Sequence, residues 1–414
     1  MKFITELPTP TVVSKENVAL ILSVLHLLID KHKEQSTKMV VAVDFETFGF
    51  DRYHKLDDEP LWMGLCWEKE SRYFVPRTLI HMFLALIEGN PNVMCVFHNF
   101  KFDVRIARNI GFSFSDIETI EDTMLMYHQI DSADVKKLDH CSLKFLGIPM
   151  GSYTDVVTTD YPEVITPGHE AFDKFVDYGS LDAWATYNLY FIFKDRLESM
   201  LLYEGHDKTV YDYYRRFEIA QVMALMDMEE NGIFIDLNAL NKVKSKHLEQ
   251  QSLFARQLCQ AAGEITDKPL STKFLAKLLY ETLKFPVLSR TGTGAPATDE
   301  SSIVELKKVN PHPILDVILG MRNSQKIVST YCEGVENCRG LRNNIVHTDF
   351  IAVGTRTGRL SSKQPNLQNQ SPIAKTFYVP REGNVFLGAD YSALELRILA
   401  HFSGDKNMID AFTL

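Results

Sequence analysis

Asp44 and Glu46 stand one residue apart at the end of an apolar run, Met39-Val40-Val41-Ala42-Val43. On a strand, alternate side chains share a face, so the two carboxylates would lie side by side. Such a pair repels unless a proton or a cation intervenes. Hard divalent cations such as Mg²⁺ favour oxygen sites of this kind. An isolated Asp-x-Glu also reads as a solvated strand end, and two further groups narrow the choice. Asn99-Phe100-Lys101-Phe102-Asp103 opens a helix just after a second apolar run, Val93 to Phe97. Tyr178 and Asp182 lie four apart, which puts a phenol and a carboxylate on one helix face. Much later, Asp390-Tyr391-Ser392-Ala393-Leu394-Glu395-Leu396-Arg397 follows Val385 to Ala389, read as a short buried strand. A charge on Asp390 there would be costly without a cation.

The elements that must position these groups alternate in type. Met39 to Val43, Leu61 to Trp67, Arg72 to Val75 and Val93 to Phe97 read as strands. Helices are predicted from about Phe102 to Asn109 and over 171–198. Strands followed by helices imply an α/β unit from Met39 to about Ser199. From Tyr203 to Cys338 the spacing is helical near 211–231, 237–262, 271–283, 299–308 and 312–333. Ser289-Arg290-Thr291-Gly292-Thr293-Gly294-Ala295-Pro296 breaks that stretch and reads as a flexible loop. Strand character returns after Asn344.

A chain of 414 residues with 45% hydrophobic content can bury two or three cores. Cys66, Cys95, Cys141, Cys259, Cys332 and Cys338 form no Cys-x-x-Cys pair and read as reduced thiols. The apolar run Val18 to Ile29 is too short to span a bilayer, which takes ~20 residues. It reads as a buried helix with Ser14 as N-cap, and neither a membrane role nor a signal peptide is indicated. The net charge of −10 argues against simple coating of nucleic acid. Its distribution is uneven: residues 301–400 hold 12 Lys and Arg against 8 Asp and Glu, whereas residues 1–300 carry the acidic excess. That basic excess fits a phosphate-binding surface, and equally a solvated basic face.

The three acidic groups, in their order, resemble the motifs of 3′–5′ exonucleases with an RNase H-like fold, in the subgroup with four acidic residues and a tyrosine. The match spans Met39 to about Tyr190 and includes Asp122-Thr123-Met124-Leu125. The resemblance implies that Asp44, Glu46, Asp103 and Asp182 hold two Mg²⁺ ions ~4 Å apart, with Mn²⁺ as a substitute. One ion would make hydroxide available near neutral pH, and the other would stabilise the leaving 3′ oxygen. Tyr178 would orient the attacking water. A phenol with an ordinary pKa near ~10 suits hydrogen bonding better than proton removal. A helix-packing aromatic is the alternative role for Tyr178.

Two later motifs, Thr357-Gly358-Arg359-Leu360-Ser361-Ser362 and Pro365-Asn366-Leu367-Gln368-Asn369, together with Asp390 to Arg397, resemble the opening of the palm of a family A (DNA polymerase I-like) DNA polymerase. Phe217 to Asp236 resembles the start of that family's polymerase portion, and the helices after it resemble the thumb. The resemblance implies that Arg359, Asn366, Gln368 and Asn369 hold the primer-template duplex. Neutral donors and acceptors suit minor-groove acceptors shared by all base pairs. Arg290, Thr291, Thr293, Thr298 and the intervening glycines would approach DNA, since glycine lets backbone come near a phosphate and Arg and hydroxyls donate to it. Arg322, Lys326, Thr330 and Tyr331 resemble a pattern at the thumb–palm junction, with ordinary surface and core roles as the alternative. Asp390 would be a ligand of both catalytic Mg²⁺ ions. Glu395 would pack against the sugar of an incoming nucleotide and exclude a 2′-hydroxyl, or else pair with Arg397 or another base. Ala393 departs from the glutamine usual at its position.

The expected fold is an α/β RNase H-like exonuclease domain (1–202), a mainly helical thumb region (203–343) and the first part of an α+β palm (344–414). Leu414 precedes the place of that family's Arg-x-x-x-Lys fingers helix and second catalytic carboxylate. The expectation is therefore that this polypeptide alone does not polymerise DNA. It would be a truncated chain or half of a split, phage-like enzyme, and dNTPs would bind only with the missing C-terminal part or a C-terminal polymerase subunit. In a split enzyme the region after Asp410 would show apolar surface to that partner. Expected partners are primer-template DNA and a single-stranded 3′ end, in a cytoplasm such as that of a phage-infected bacterial host. A stand-alone 3′–5′ exonuclease that uses thumb and palm only as a grip is the second reading. A non-catalytic DNA-binding subunit is the third, and the four carboxylates argue against it.

Overall fold

The computed structural model describes residues 7–47, 59–151, 166–169, 171–338 and 343–413. The first unit is built on strands β1 (Pro10–Val12), β2 (Met39–Thr47), β3 (Pro60–Cys66), β4 (Arg72–Pro76), β5 (Val93–Phe97) and β6 (Ile120–Asp122). They form one mixed sheet in the order β1-β4-β3-β2-β5-β6. β2 pairs antiparallel with β3 and parallel with β5. Val41, Ala42 and Val43 are buried in succession, as expected of a strand covered on both faces.

Helices α1 (Val18–Glu34), α2 (Arg77–Ile87), α3 (Phe100–Asn109), α4 (Thr123–Ile130) and the long α5 (Phe172–Ser199) complete this unit. α5 packs over β2, β3 and β4. α1 begins later than the sequence suggests, with Asn17 rather than Ser14 at its N-cap position. It is also amphipathic rather than wholly buried. Val18, Ile21, Leu25 and Ile29 enter the core while Leu20 and Leu27 face outward, the 3.6-residue period dividing the run in two.

The first core does not stop at the end of α5. Helix α6 (Ile219–Asn231) inserts Ile219, Val222, Met223 and Met226 into it, and Ala352 and Val353 pack against it from far along the chain. A second core lies among α7 (Leu237–Ala262), the helical segment from Thr272, α8 (Glu300–Val309) and α9 (Pro313–Lys326). Asp236 caps α7 by accepting from the Asn238 and Ala239 amides at 2.8 and 3.1 Å, and Gly263 ends it at φ +68°. The third core is smaller. It lies under a three-stranded sheet, β11-β7-β8, of Ile233–Ile235 (β7), Ile345–Val346 (β8) and Tyr378–Val379 (β11). Between β8 and β11, Asp349–Ile351 (β9) and Ser361–Lys363 (β10) form an antiparallel hairpin.

One expectation is refined and one corrected here. The Gly-rich segment is the expected loop, closed on itself by backbone hydrogen bonds. The Ala297 amide donates to the Ser289 carbonyl at 3.0 Å, and the Thr291 amide to the Ala295 carbonyl at 2.8 Å. And Val385 to Ala389 is neither strand nor buried: Val385 is 86% and Leu387 95% exposed. A strand needs a neighbour to take its amides and carbonyls and a layer to cover its side chains. Among the described residues neither is present there. α10 (Leu394–Ser403) and α11 (Lys406–Thr413) follow, with Leu396, Ile398, Leu399 and Phe402 exposed.

Candidate active sites

Asp44 and Glu46 leave the same face of β2, and α5 brings Tyr178 and Asp182 onto them. The approach depends on two glycines. Asp44 is paired across the sheet with Gly64 of β3. A Cβ on Gly64 would collide with the Gly179 carbonyl, and one on Gly179 would strike Phe74 and press on Glu46 Oε1. The helix can therefore lie this close only because both positions lack a side chain. The result is a convergence of Asp44, Glu46 and Asp182, each offering an oxygen within 4.8 Å of the others.

Asp103 of α3 stands beside these three rather than within their 4.8 Å group. Its Oδ1 accepts from the Phe45 amide at 2.9 Å, which places it beside β2 between the two acidic positions. α3 is oriented by a residue whose part was not read from the sequence. The Asp122 carboxylate accepts from the Asn99, Phe100, Met124 and Leu125 amides at 3.2, 2.7, 2.7 and 3.0 Å. One buried side chain thus fixes the starts of α3 and α4 together. Asp-Thr at the start of an apolar helical run is an N-cap signal that would have given half of this.

The electrostatics are those of a site prepared for a cation. Burial pushes the Asp44 carboxyl up to about 7. Burial raises Glu46 too, with the charges of Asp44 and Asp103 adding to it. Asp103 is raised by burial and by Asp44. Asp182 is raised by burial, Asp44 and Glu46, and held back in part by a hydrogen bond from Tyr178. Tyr178 itself is raised far above its ordinary value by burial and by these carboxylates, so its hydroxyl keeps its proton. Asp182 Oδ1 is buried without a hydrogen-bond partner. An unpaired buried carboxylate oxygen is costly, and an all-oxygen donor set is the one hard divalent cations take. The residues present fit such an ion.

The polymerase-like residues are arranged differently. Thr357, Gly358 and Arg359 lie in the exposed loop between β9 and β10, with Gly358 at φ +75°. Arg359 forms an ion pair with Glu395, both side chains 71% exposed, so Glu395 pairs with Arg359 rather than with Arg397. Arg397 instead donates to the Ser392 and Phe412 carbonyls. Asn366 Oδ1 accepts from Ser362 Oγ and the Asn369 amide, both at 3.1 Å, and Gln368 Nε2 donates to the Leu360 carbonyl at 3.0 Å. Those two side chains shape the turn, and Asn366, Gln368 and Asn369 are all exposed. Asp390 is exposed, on an uncovered segment rather than after a buried strand. In the helical part, Arg290 and Thr291 are exposed, with Arg290 bonded to the Gly294 carbonyl at 2.9 Å. Thr298 is buried, and its carbonyl is taken by Arg322. Arg322 is half-buried, and its Nη1 has no hydrogen-bond partner.

Residues 23–198 match the model of a 3′-5′ exonuclease family, and residues 237–414 match that of DNA polymerase family A. DNA polymerase I of Caldicellulosiruptor bescii is 32% identical over 308 residues, 72% of this chain and 34% of the relative. DNA polymerase I of Borreliella burgdorferi is 28% identical over 392 residues, 90% of this chain and 40% of the relative. The chain thus spans between a third and two-fifths of the length of these relatives. Among solved structures, the POL domain of Pol1 from M. smegmatis, in complex with DNA primer-template and dNTP, shares the fold. Its TM-score is 0.73 at 22% identity, over 93% of this chain and 63% of that one.

Proposed function

This chain belongs to the family A DNA polymerases with a 3′-5′ exonuclease domain, and from that premise we propose that it removes nucleotides from the 3′ end of a DNA strand by metal-dependent phosphodiester hydrolysis. The observation that carries the reading is the convergence of Asp44, Glu46 and Asp182 within 4.8 Å, with one buried oxygen of Asp182 unpartnered.

Asp44, Glu46, Asp103 and Asp182 would hold two Mg²⁺ ions, or Mn²⁺ in their place. Bound there, the ions would lower the pKa of a water and neutralise charge at the leaving 3′ oxygen. The chain's own residues do the rest. Phe45 donates its amide to Asp103 and so keeps that carboxylate turned to β2. The Tyr178 hydroxyl, protonated at any physiological pH, positions the water by hydrogen bonding and takes no proton from it. Arg290, Thr291, Arg359 and Asn369, exposed on the helical part and the β9–β10 region, grip the DNA backbone and minor groove. Asn366 and Gln368 hold the shape of the turn that presents Asn369. Asp390 and Glu395 would serve nucleotide addition, as one metal ligand among several and as sugar-facing group; exposed as they are, they do not by themselves make a cation site.

The test is degradation of a 5′-labelled single strand by this chain with Mg²⁺ present or chelated. Stepwise shortening from the 3′ end, lost in Asp44→Ala/Glu46→Ala, is the expected result. Absence of shortening above that double variant would overturn the reading.

A further inference from the structure

α3 carries a second stripe that the exonuclease chemistry leaves unexplained. Asp103 points to β2. Lys101, Arg105 and Arg108, spaced i, i+4 and i+7, occupy the other side of the helix. All three meet acidic residues near the end of α6. Lys101 Nζ donates to Glu229 Oε1 at 2.7 Å, and Arg105 pairs with Glu229 Oε2. Arg108 meets Glu230 at 2.6 Å and Asp227 at 3.3 Å.

Glu229 is the hub. It is 1% exposed, and a buried carboxylate persists only when fully paired. Besides the two cations, its Oε1 accepts the Phe350 amide at 2.5 Å, and its own carbonyl meets His347 Nδ1 at 2.8 Å. Lys101 continues the link, donating to Asp349 Oδ1 and the Phe350 carbonyl, both at 2.5 Å. Asp349 is paired across the hairpin with Lys363, 3.3 Å away. α6 can bring Glu229 here because its last turn ends on Gly232 at φ +60°, where a Cβ would strike Ile345 and the Val346 carbonyl.

We infer that Glu229 is a positioning residue for the exonuclease reaction: through Lys101 and Arg105 it sets the roll of α3 and hence the place of Asp103 among the metal-holding carboxylates. The inference rests on the exonuclease reading above. α3 is gripped on opposite sides, by Phe45 through Asp103 and by Glu229 through the two cations. Asp122 pins the first residues of α3 but not the roll of the turns that follow, and a small turn there moves a carboxylate out of a cation's reach. Partners that orient a ligand in this way typically contribute 10–100-fold in metal affinity or activity. The same carboxylate also holds the amide of Phe350, so the hairpin that bears Thr357 to Arg359 hangs from the residue that steadies Asp103.

The experiment compares Glu229→Gln, Lys101→Met and, as a control on the outer pair, Asp227→Ala. Each is assayed for single-strand degradation over a range of Mn²⁺ concentrations. Mn²⁺ affinity is measured separately by spin-resonance titration without substrate. For Glu229→Gln, kcat at limiting Mn²⁺ should fall about tenfold with KM within about twofold, and Mn²⁺ affinity should weaken by a similar factor. Saturating Mn²⁺ should restore most of kcat, as a displaced metal ligand predicts. Lys101→Met should show a smaller change in the same direction, and Asp227→Ala none. Wild-type metal affinity in both Glu229→Gln and Lys101→Met would overturn the inference. If Glu229→Gln does not fold, Lys101→Met decides alone. An inactive wild type would count against the exonuclease reading, and the titration would still judge the role of Glu229.

Discussion

The two acidic regions of this chain differ in what surrounds them. Asp44, Glu46, Asp103 and Asp182 come from three elements that are clamped together by a sheet, a glycine contact and buried caps. Asp390 and Glu395 stand on an exposed segment, and the one ion pair that touches them among the described residues, Arg359–Glu395, lies in solvent, where such pairs contribute little. A carboxylate motif becomes a strong cation site only when burial and neighbouring charge make the empty site unfavourable. The first region meets that condition among the described residues, and the second does not.

The largest effect should come from Gly179→Val. A side chain there cannot be accommodated between Phe74 and Glu46, and overpacking of a core costs typically 1–3 kcal/mol. Denaturant unfolding should register that loss, with exonuclease activity lost as well. The equivalent insult in the other region, Gly388→Val, meets open space and should change stability by less than about 0.5 kcal/mol.

Tyr178→Phe should lower exonuclease kcat by about 10²-fold, in line with loss of one positioned hydrogen-bonding group, with little change in metal affinity. A drop in Mn²⁺ binding as large as the drop in kcat would mean that the hydroxyl serves Asp182 rather than the water.

The pH dependence should sharpen the contrast further. The Asp44 carboxyl keeps its proton to about 7 in the fold and releases it near 3.8 when unfolded. The native state therefore binds more protons between these values, and stability falls as pH rises through that window. Without divalent cations the melting temperature should be several degrees lower at pH 8 than at pH 5. Mg²⁺ should recover more of it at pH 8, and Asp44→Asn should reduce the slope, with the raised carboxyls of Glu46, Asp103 and Asp182 keeping the rest. A slope unchanged by Asp44→Asn would place the titration elsewhere. The smallest effect is expected from Asp390→Asn, at an exposed position, which should change stability by no more than about 0.5 kcal/mol.

Much of the first region was legible because its signals are local. The apolar run Met39 to Val43 gave a strand, the alternation at Asp44 and Glu46 put two carboxylates on one face, and the i, i+4 spacing joined Tyr178 to Asp182. The helical stretches from 211 to 333 were read from their period, the first running through Val210–Tyr213 and Tyr214–Glu218 into α6 and the last from α9 through Ile327–Glu333 on to Glu336. Contacts made by tertiary folding were not legible. Gly64 facing Gly179, Asp122 capping two helices and Glu229 meeting Lys101 each need partners set by the path of the chain. The apolar run before Asp390 misled for the same reason. A hydrophobic segment specifies a buried strand only when another strand lies beside it, and composition does not reveal the neighbour.

One titration tests the contrast most directly: Mn²⁺ binding to the wild-type chain, to Asp44→Ala/Glu46→Ala and to Asp390→Ala, without DNA. Tight binding that disappears in the double variant and survives unchanged in Asp390→Ala is the expected result. Binding that survives the double variant, or that is lost with Asp390, would contradict the account.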